Sequence, residues 1–108
     1  MEKNVTIDGL NINYIDTGEG KSLVLFHGWG ANKEAFTPII QKMSKVMRVV
    51  ALDFPGFGKS DEPKDIWDVE AYADFAGSYK NYCENSGSKD SLLIFIINNY
   101  EIFSETYS

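Results

Sequence analysis

Two short segments hold the residues whose types and spacing could do chemistry: His27-Gly28-Trp29-Gly30 and Asp53-Phe54-Pro55-Gly56-Phe57-Gly58-Lys59-Ser60. Each follows an apolar run, Ser22-Leu23-Val24-Leu25-Phe26 and Val49-Val50-Ala51-Leu52, that reads as a buried strand. A Gly-rich turn at the C-terminal end of a buried strand is where open α/β sheets hold their ligand chemistry. The first segment by itself reads as a plain strand-to-loop turn or as a site for acyl transfer, in which charge builds on a carbonyl oxygen and is met by backbone N–H donors. Glycines beside a strand end let the chain turn sharply and approach a substrate closely. In the second segment, Pro55-Gly56 is a turn dipeptide and Gly58 permits another unusual backbone angle.

Other chemistries do not fit these residues. Gly58-Lys59-Ser60 ends like a phosphate-binding loop, but the first glycine of that motif would fall on Asp53. A dinucleotide fingerprint starting at Gly28 would need glycine in place of Lys33, and one starting at Gly56 would need it in place of Asp61. No Cys/His spacing suits a metal, because His27 and Cys83 are the single histidine and the single cysteine. Cys83 reads as an inert, half-buried thiol on a helix face, with no base near it in sequence.

The elements that must position these motifs are legible around them. Val5-Thr6-Ile7 and Asn11-Ile12-Asn13-Tyr14-Ile15 alternate about Asp8-Gly9, a hairpin signal. Thr37-Pro38 predicts a helix start, with Thr37 as the cap and Ile39, Ile40 and Met43 as the apolar face. Met47–Leu52 is the next strand, so strand, helix and strand form a βαβ unit. Residues 54–66 form a loop, and Asp68-Val69-Glu70 opens a helix through Tyr72, Phe75, Ala76 and Tyr79, weakened at Gly77-Ser78. Asn85–Asp90 is a turn, and Leu92–Ile97 is a third buried strand. The expected organisation is one domain: a hairpin and loop over 1–20, a βαβαβ core over 21–97 and an aperiodic tail over 98–108.

Composition narrows the partners. The 108 residues suffice for one small domain, and the net charge of −6 argues against nucleic acid and anionic membrane surfaces. The longest apolar run, Leu92–Ile97, is far too short to span a bilayer. With one cysteine and no apolar leader in Met1-Glu2-Lys3-Asn4-Val5, a reducing cytoplasm is the expected compartment.

Taken together, the two motifs resemble the N-terminal part of an α/β-hydrolase. That broad group includes esterases, lactonases, haloalkane dehalogenases, haloperoxidase-like enzymes and carbon–carbon bond hydrolases. Leu23–Gly30 is similar to the family's third strand and oxyanion loop, Arg48–Asp61 to its fourth strand and the following loop, and Tyr72-Ala73-Asp74-Phe75 to the helix leading to the nucleophile strand. The resemblance covers roughly residues 5–80. It implies that Trp29 offers its backbone N–H to the oxyanion, that Gly28 lets the loop approach the substrate, and that Trp29 and Phe54 line the substrate pocket. It makes His27 and Gly30 supports of the oxyanion loop, and Asp53, Pro55, Gly56 and Gly58 structural residues beside the site. The implied reaction is hydrolysis of a small ester-like substrate by a serine nucleophile, with no cofactor.

The family places its nucleophile in G-x-S-x-G after the fifth strand. Here Asn98-Asn99-Tyr100-Glu101 follows the corresponding strand, and no G-x-S-x-G occurs in the chain. The expectation is therefore a chain truncated before the nucleophile, inactive alone, whose central strand is left as an open edge. The alternative expectation is a non-catalytic module that pairs this edge with a protein partner or a second copy.

Overall fold

The computed structural model describes residues 2–27, 30–85, 92–98 and 101–107. Among them lie β1 (Glu2–Ile7), β2 (Leu10–Thr17), β3 (Ser22–His27), a 3-10 turn (Lys33–Phe36), α1 (Thr37–Met43), β4 (Arg48–Leu52), α2 (Val69–Asn85), β5 (Leu92–Asn98) and β6 (Glu101–Tyr107). The strands form one mixed sheet in the order β1-β2-β4-β3-β5-β6. β3 pairs in parallel with β4 on one side and with β5 on the other. The pairs β1/β2, β2/β4 and β5/β6 are antiparallel. An antiparallel hairpin followed by parallel strands with helical crossovers is the α/β architecture expected from the sequence.

Local chemistry explains the elements. Asp8 (φ 52°) and Gly9 (φ 81°) both adopt the left-handed conformation that a two-residue hairpin turn requires. All six residues of β3 are buried, so this strand is covered on both faces. On one face, Val24 and Phe26 join Val50, Leu52, Ile12 and Tyr14 beneath Phe75 and Tyr79 of α2. On the other, Leu23 and Leu25 join Val49 and Ala51 beneath Phe36 and Ile40. Arg48 closes the start of β4 onto β2 with a two-pronged bond to Asp16, its Nε donating to Oδ1 at 2.8 Å and its Nη2 to Oδ2 at 2.6 Å.

Three readings of the sequence change. Thr37 does not cap α1: the chain enters the helix directly from the 3-10 turn, so Phe36 takes the cap position, and Thr37 Oγ1 donates back to the Glu34 carbonyl at 2.8 Å. α2 runs unbroken through Gly77-Ser78, because Phe75 and Tyr79 flank them and bury one helix face. Its start is held by Asp68, whose Oδ1 accepts the Ala71 N–H at 2.9 Å. The third change is the largest. Within the segment read as an aperiodic tail, Glu101–Tyr107 forms β6, in register with β5 from Asn98↔Glu101 to Leu92↔Tyr107. Ile102, Phe103, Thr106 and Tyr107 are strong strand formers, and the free edge of β5 gives their backbone groups partners. The expected open edge at β5 is thus covered, and β5 is bonded on both sides. Asn85 ends α2, while the rest of the expected turn before β5 lies outside the described residues, as does the Cys83 side chain.

Phe26 is 1% exposed and stacks on Phe54 at 5.3 Å, so Phe26→Ala should cost about 3–5 kcal/mol in urea unfolding. Ile66 stands fully in solvent, and Ile66→Ser should stay within about 0.5 kcal/mol of the parent.

Candidate active site

The parallel pairing sets the C-terminal ends of β3 and β4 side by side, with Phe26 opposite Leu52. The residues just beyond that pair make the site. His27 is 2% exposed. Its Nε2 accepts the Phe54 backbone N–H at 2.9 Å, and its ring meets Phe54 and Phe57 edge-on at 5.1 and 5.3 Å. An imidazole whose Nε2 lone pair is spent on a backbone donor fastens two loops together. It does not offer that nitrogen to a substrate proton.

Asp53 is fully buried and serves as a hub. Its Oδ1 accepts the Lys33 backbone N–H at 2.7 Å. Its Oδ2 accepts the Lys33 ammonium at 2.9 Å and the Lys59 backbone N–H at 3.0 Å. The Lys33 side chain is wholly inaccessible, and its Nζ also meets Glu34 at 3.0 Å and Glu2 at 3.2 Å. Burial opposes the charge on Asp53, but the N–H groups of Lys59 and Lys33 and the Lys33 ammonium outweigh it and hold the carboxyl below its ordinary range. Burial also opposes the Lys33 charge, and its bonds to Asp53, Glu34 and Glu2 outweigh that and raise the ammonium above its ordinary value.

The first part of the loop after β4, residues 53–61, is locked by hydrogen bonds. Ser60 Oγ donates to the Asp53 carbonyl at 2.7 Å and accepts the Asn13 N–H at 2.9 Å. Asp61 bonds Asn11 twice, accepting its N–H at Oδ2 (2.9 Å) and donating its own N–H to the Asn11 carbonyl (2.8 Å). Gly56 N–H donates to the Asp61 carbonyl at 2.9 Å. The Tyr72 hydroxyl donates to the Pro55 carbonyl at 2.9 Å, which moors the loop to α2, and burial raises that phenol above its ordinary pKa. Gly58 has φ +51°, and a Cβ there would collide with the Asp53 carboxylate. The chain passes so close to the hub that only glycine fits.

The structure therefore brings His27, Asp53, Phe54, Pro55, Gly56 and Gly58 into one locked constellation. Gly30 lies on the connection leaving β3, with φ +80° and open space around it. Gly28 and Trp29 lie outside the described residues. The half-buried Phe54 ring packs against the core, stacked on Phe26 and edge-on to Tyr72 and Phe75. An open cavity of about 320 Å³ lies beside it, lined by Gly56, Phe57, Glu62, Pro63, Trp67 and Tyr72 among others, but not by Phe54. Lys33, Ser60 and Asp61 had no role in the sequence reading. Lys33 sits in a polar run, Asn32-Lys33-Glu34, like any surface lysine; the one available signal was that Asp53, just past a buried strand, required a counter-charge. Among the described residues, no three His, Cys, Asp or Glu side chains converge as a metal cage.

The fold and the locked loops define a class, and the comparisons with known proteins agree on it. A sequence model described as alpha/beta hydrolase fold matches residues 21–94. The chain belongs to the α/β-hydrolase family. It is 49% identical over 45 residues to the pimeloyl-(acyl-carrier protein) methyl ester esterase of Aliivibrio salmonicida, covering 42% of this chain and 17% of that protein. It is 39% identical over 64 residues to the (E)-2-((N-methylformamido)methylene)succinate hydrolase of Acinetobacter baylyi, covering 59% of this chain and 24% of that one. Among solved structures, a bacterial membrane phospholipase A superposes with a TM-score of 0.71 at 33% identity, over 75% of this chain and 27% of that one. The Cif epoxide hydrolase from Acinetobacter nosocomialis shares the fold, with a TM-score of 0.78 at 21% identity over 91% of this chain and 30% of the other. The chain thus spans about a quarter or less of the length of these two curated relatives.

Two outcomes follow for the hub. Asp53 is held low, so its contribution to stability is whole above the unfolded carboxylate value of about 3.9 and drains away as pH falls through the folded value. Lys33 is held high, so its contribution is whole below about 10.4 and is lost as pH rises through its folded value. Urea midpoints measured across pH should decline at both ends, and the decline should be shallower in Lys33→Met/Asp53→Asn. Separately, Gly58→Ala should lower stability by more than about 1 kcal/mol, whereas Gly77→Ala, with open space at its Cβ, should not lower it.

Proposed function

We propose that this chain is the N-terminal portion of a hydrolase that cleaves a small ester-like substrate through a serine nucleophile, without a cofactor, in the cytoplasm. In this reading the connection after β3 is the oxyanion loop. The Trp29 backbone N–H is the donor, and Gly28 and Gly30 give the loop its close approach. His27, Asp53, Pro55, Gly56 and Gly58 support it. The observation that carries the reading is the bond from the Phe54 N–H to His27 Nε2 at the shared end of β3 and β4. It supports reading His27 as a prop for the connection after β3, a strand whose two neighbours both run parallel to it. Similarity to a methyl ester esterase and to a substituted-succinate hydrolase supports this substrate class.

Chemically, such a loop stabilises the tetrahedral oxyanion and nothing else. It needs a nucleophile, a base and an acid from elsewhere, and the 108 residues hold no G-x-S-x-G and no histidine besides His27. We therefore expect this chain alone to hydrolyse p-nitrophenyl acetate no faster than a denatured control and to take up no fluorophosphonate label. Labelling with turnover would refute the reading.

The oxyanion role has its own test. Fusing residues 1–97 to the C-terminal part of a pimeloyl methyl ester esterase relative should give methyl ester hydrolysis. Trp29→Pro, which deletes the backbone donor, should then cut kcat about 100- to 1000-fold. Trp29→Phe, which keeps the donor, should stay within about tenfold of the parent fusion. Equal losses in both would remove Trp29 from the oxyanion role.

A further inference from the structure

The connection leaving β3 begins after His27 and ends at Lys33, where the 3-10 turn starts. Both of its ends are tied to the same two consecutive residues. At the first end, His27 Nε2 accepts the Phe54 N–H at 2.9 Å. At the second, Asp53 takes the Lys33 backbone N–H at 2.7 Å on one carboxylate oxygen and the Lys33 ammonium at 2.9 Å on the other. Asp53 and Phe54 do not float. The Asp53 N–H donates to the Asn13 carbonyl at 3.0 Å, and its own carbonyl is held by Ser60. The Lys59 N–H also donates to Oδ2, and Phe54 is clamped among Phe26, Tyr72 and Phe75.

We propose that Lys33 is a positioning residue: with Asp53 it forms an ion-pair clasp that, together with the bond of His27 to Phe54, fixes His27 and Lys33, the two ends of the β3 connection, to one dipeptide. This rests on the reading of that connection as the oxyanion loop.

The geometry favours this over simple charge neutralisation. A lysine placed only to neutralise Asp53 would need the Nζ contact alone. Here the same residue also donates its backbone N–H to the other oxygen of the same carboxylate, so both the main chain and the side chain of residue 33 are fixed relative to Asp53. Glu34 and Glu2 hold the remaining faces of the ammonium. An ammonium surrounded by three carboxylates, on an inaccessible side chain, has few alternative positions. A donor aimed at a developing charge acts by being already in place, so a loop fixed at both ends costs little reorganisation.

Amide hydrogen exchange followed by two-dimensional NMR on the 108-residue chain tests this without any substrate. In the wild type, the Lys33 and Phe54 amides should exchange at least 100-fold more slowly than the exposed loop amides of Lys64 and Asp65. In Lys33→Met, the amides of residues 30–33 and 54 should exchange at least tenfold faster, while those of Val50 and Ala51 in β4 change less than twofold. Lys33→Arg, which restores a cation and keeps the backbone donor, should recover most of the protection. Wild-type exchange of Lys33 and Phe54 at loop rates would overturn the clasp, and this reading stands even if Lys33→Met does not fold. Uniform acceleration of loop and β4 amides in a folded Lys33→Met would also overturn it, reducing Lys33 to a general stabiliser. Because no reaction is monitored, the clasp can fail while the Trp29→Pro result stands, and the reverse.

Discussion

A carboxylate removed from water must be met by donors on every side or it will not stay charged. Asp53 stands in that position at the end of β4, and much of the surrounding backbone is arranged to meet it. It dictates a cation at Lys33 and an available N–H at Lys59. It also forbids a side chain at Gly58, where the chain must pass close enough to deliver the Lys59 donor. These requirements come from separate stretches of sequence, and together they turn the end of a strand into a junction. An apolar residue could have filled the same space without any of them. What the charged residue adds is direction, because each donor has to arrive along a lone pair of the carboxylate.

The junction matters because of where the sheet puts it. The ends of β3 and β4 are adjacent, so a histidine closing one strand and an aspartate following the other come within reach of the same loops. Ser60 and Asp61 then carry the loop back onto β2, antiparallel to β4. Three neighbouring strands thus share the load of holding one loop. β5 lies on the other side of β3 in the right direction for the family's nucleophile strand, but it leads into an antiparallel partner. The junction that holds the start of the β3 connection is built from these residues.

Much of this was readable from residue order. Asp8-Gly9 announces its hairpin, the unbroken apolar run of β3 announces burial on both faces, and the two glycine motifs announce the family. The failures are instructive because each depends on a partner distant in sequence. Lys33 looks like a surface lysine until Asp53, twenty positions on, is seen beneath it. Thr37 has the right chemistry for a cap, but the 3-10 turn before it brings the helix start one residue earlier, to Thr37 itself. Glu101–Tyr107 shows no clean alternation, and only the edge of β5 makes it a strand. Local propensity fixes what a residue can do, and the neighbour supplied by topology decides which of those things it does.

The strand order has a consequence for how this molecule comes into being. β3 lies between β4 and β5, and its outer partner is far along the chain, with Ser22 opposite Leu92. While the polypeptide emerges from a ribosome, the hairpin, β4 and β3 can assemble early. One flank of this buried strand then remains unsealed until β5 has been made. For that interval a row of free amide and carbonyl groups, backed by Leu23, Val24, Leu25 and Phe26, faces solvent. The molecule is at greatest risk of sticking to its neighbours while it is being born, and this risk ends only when β5 docks.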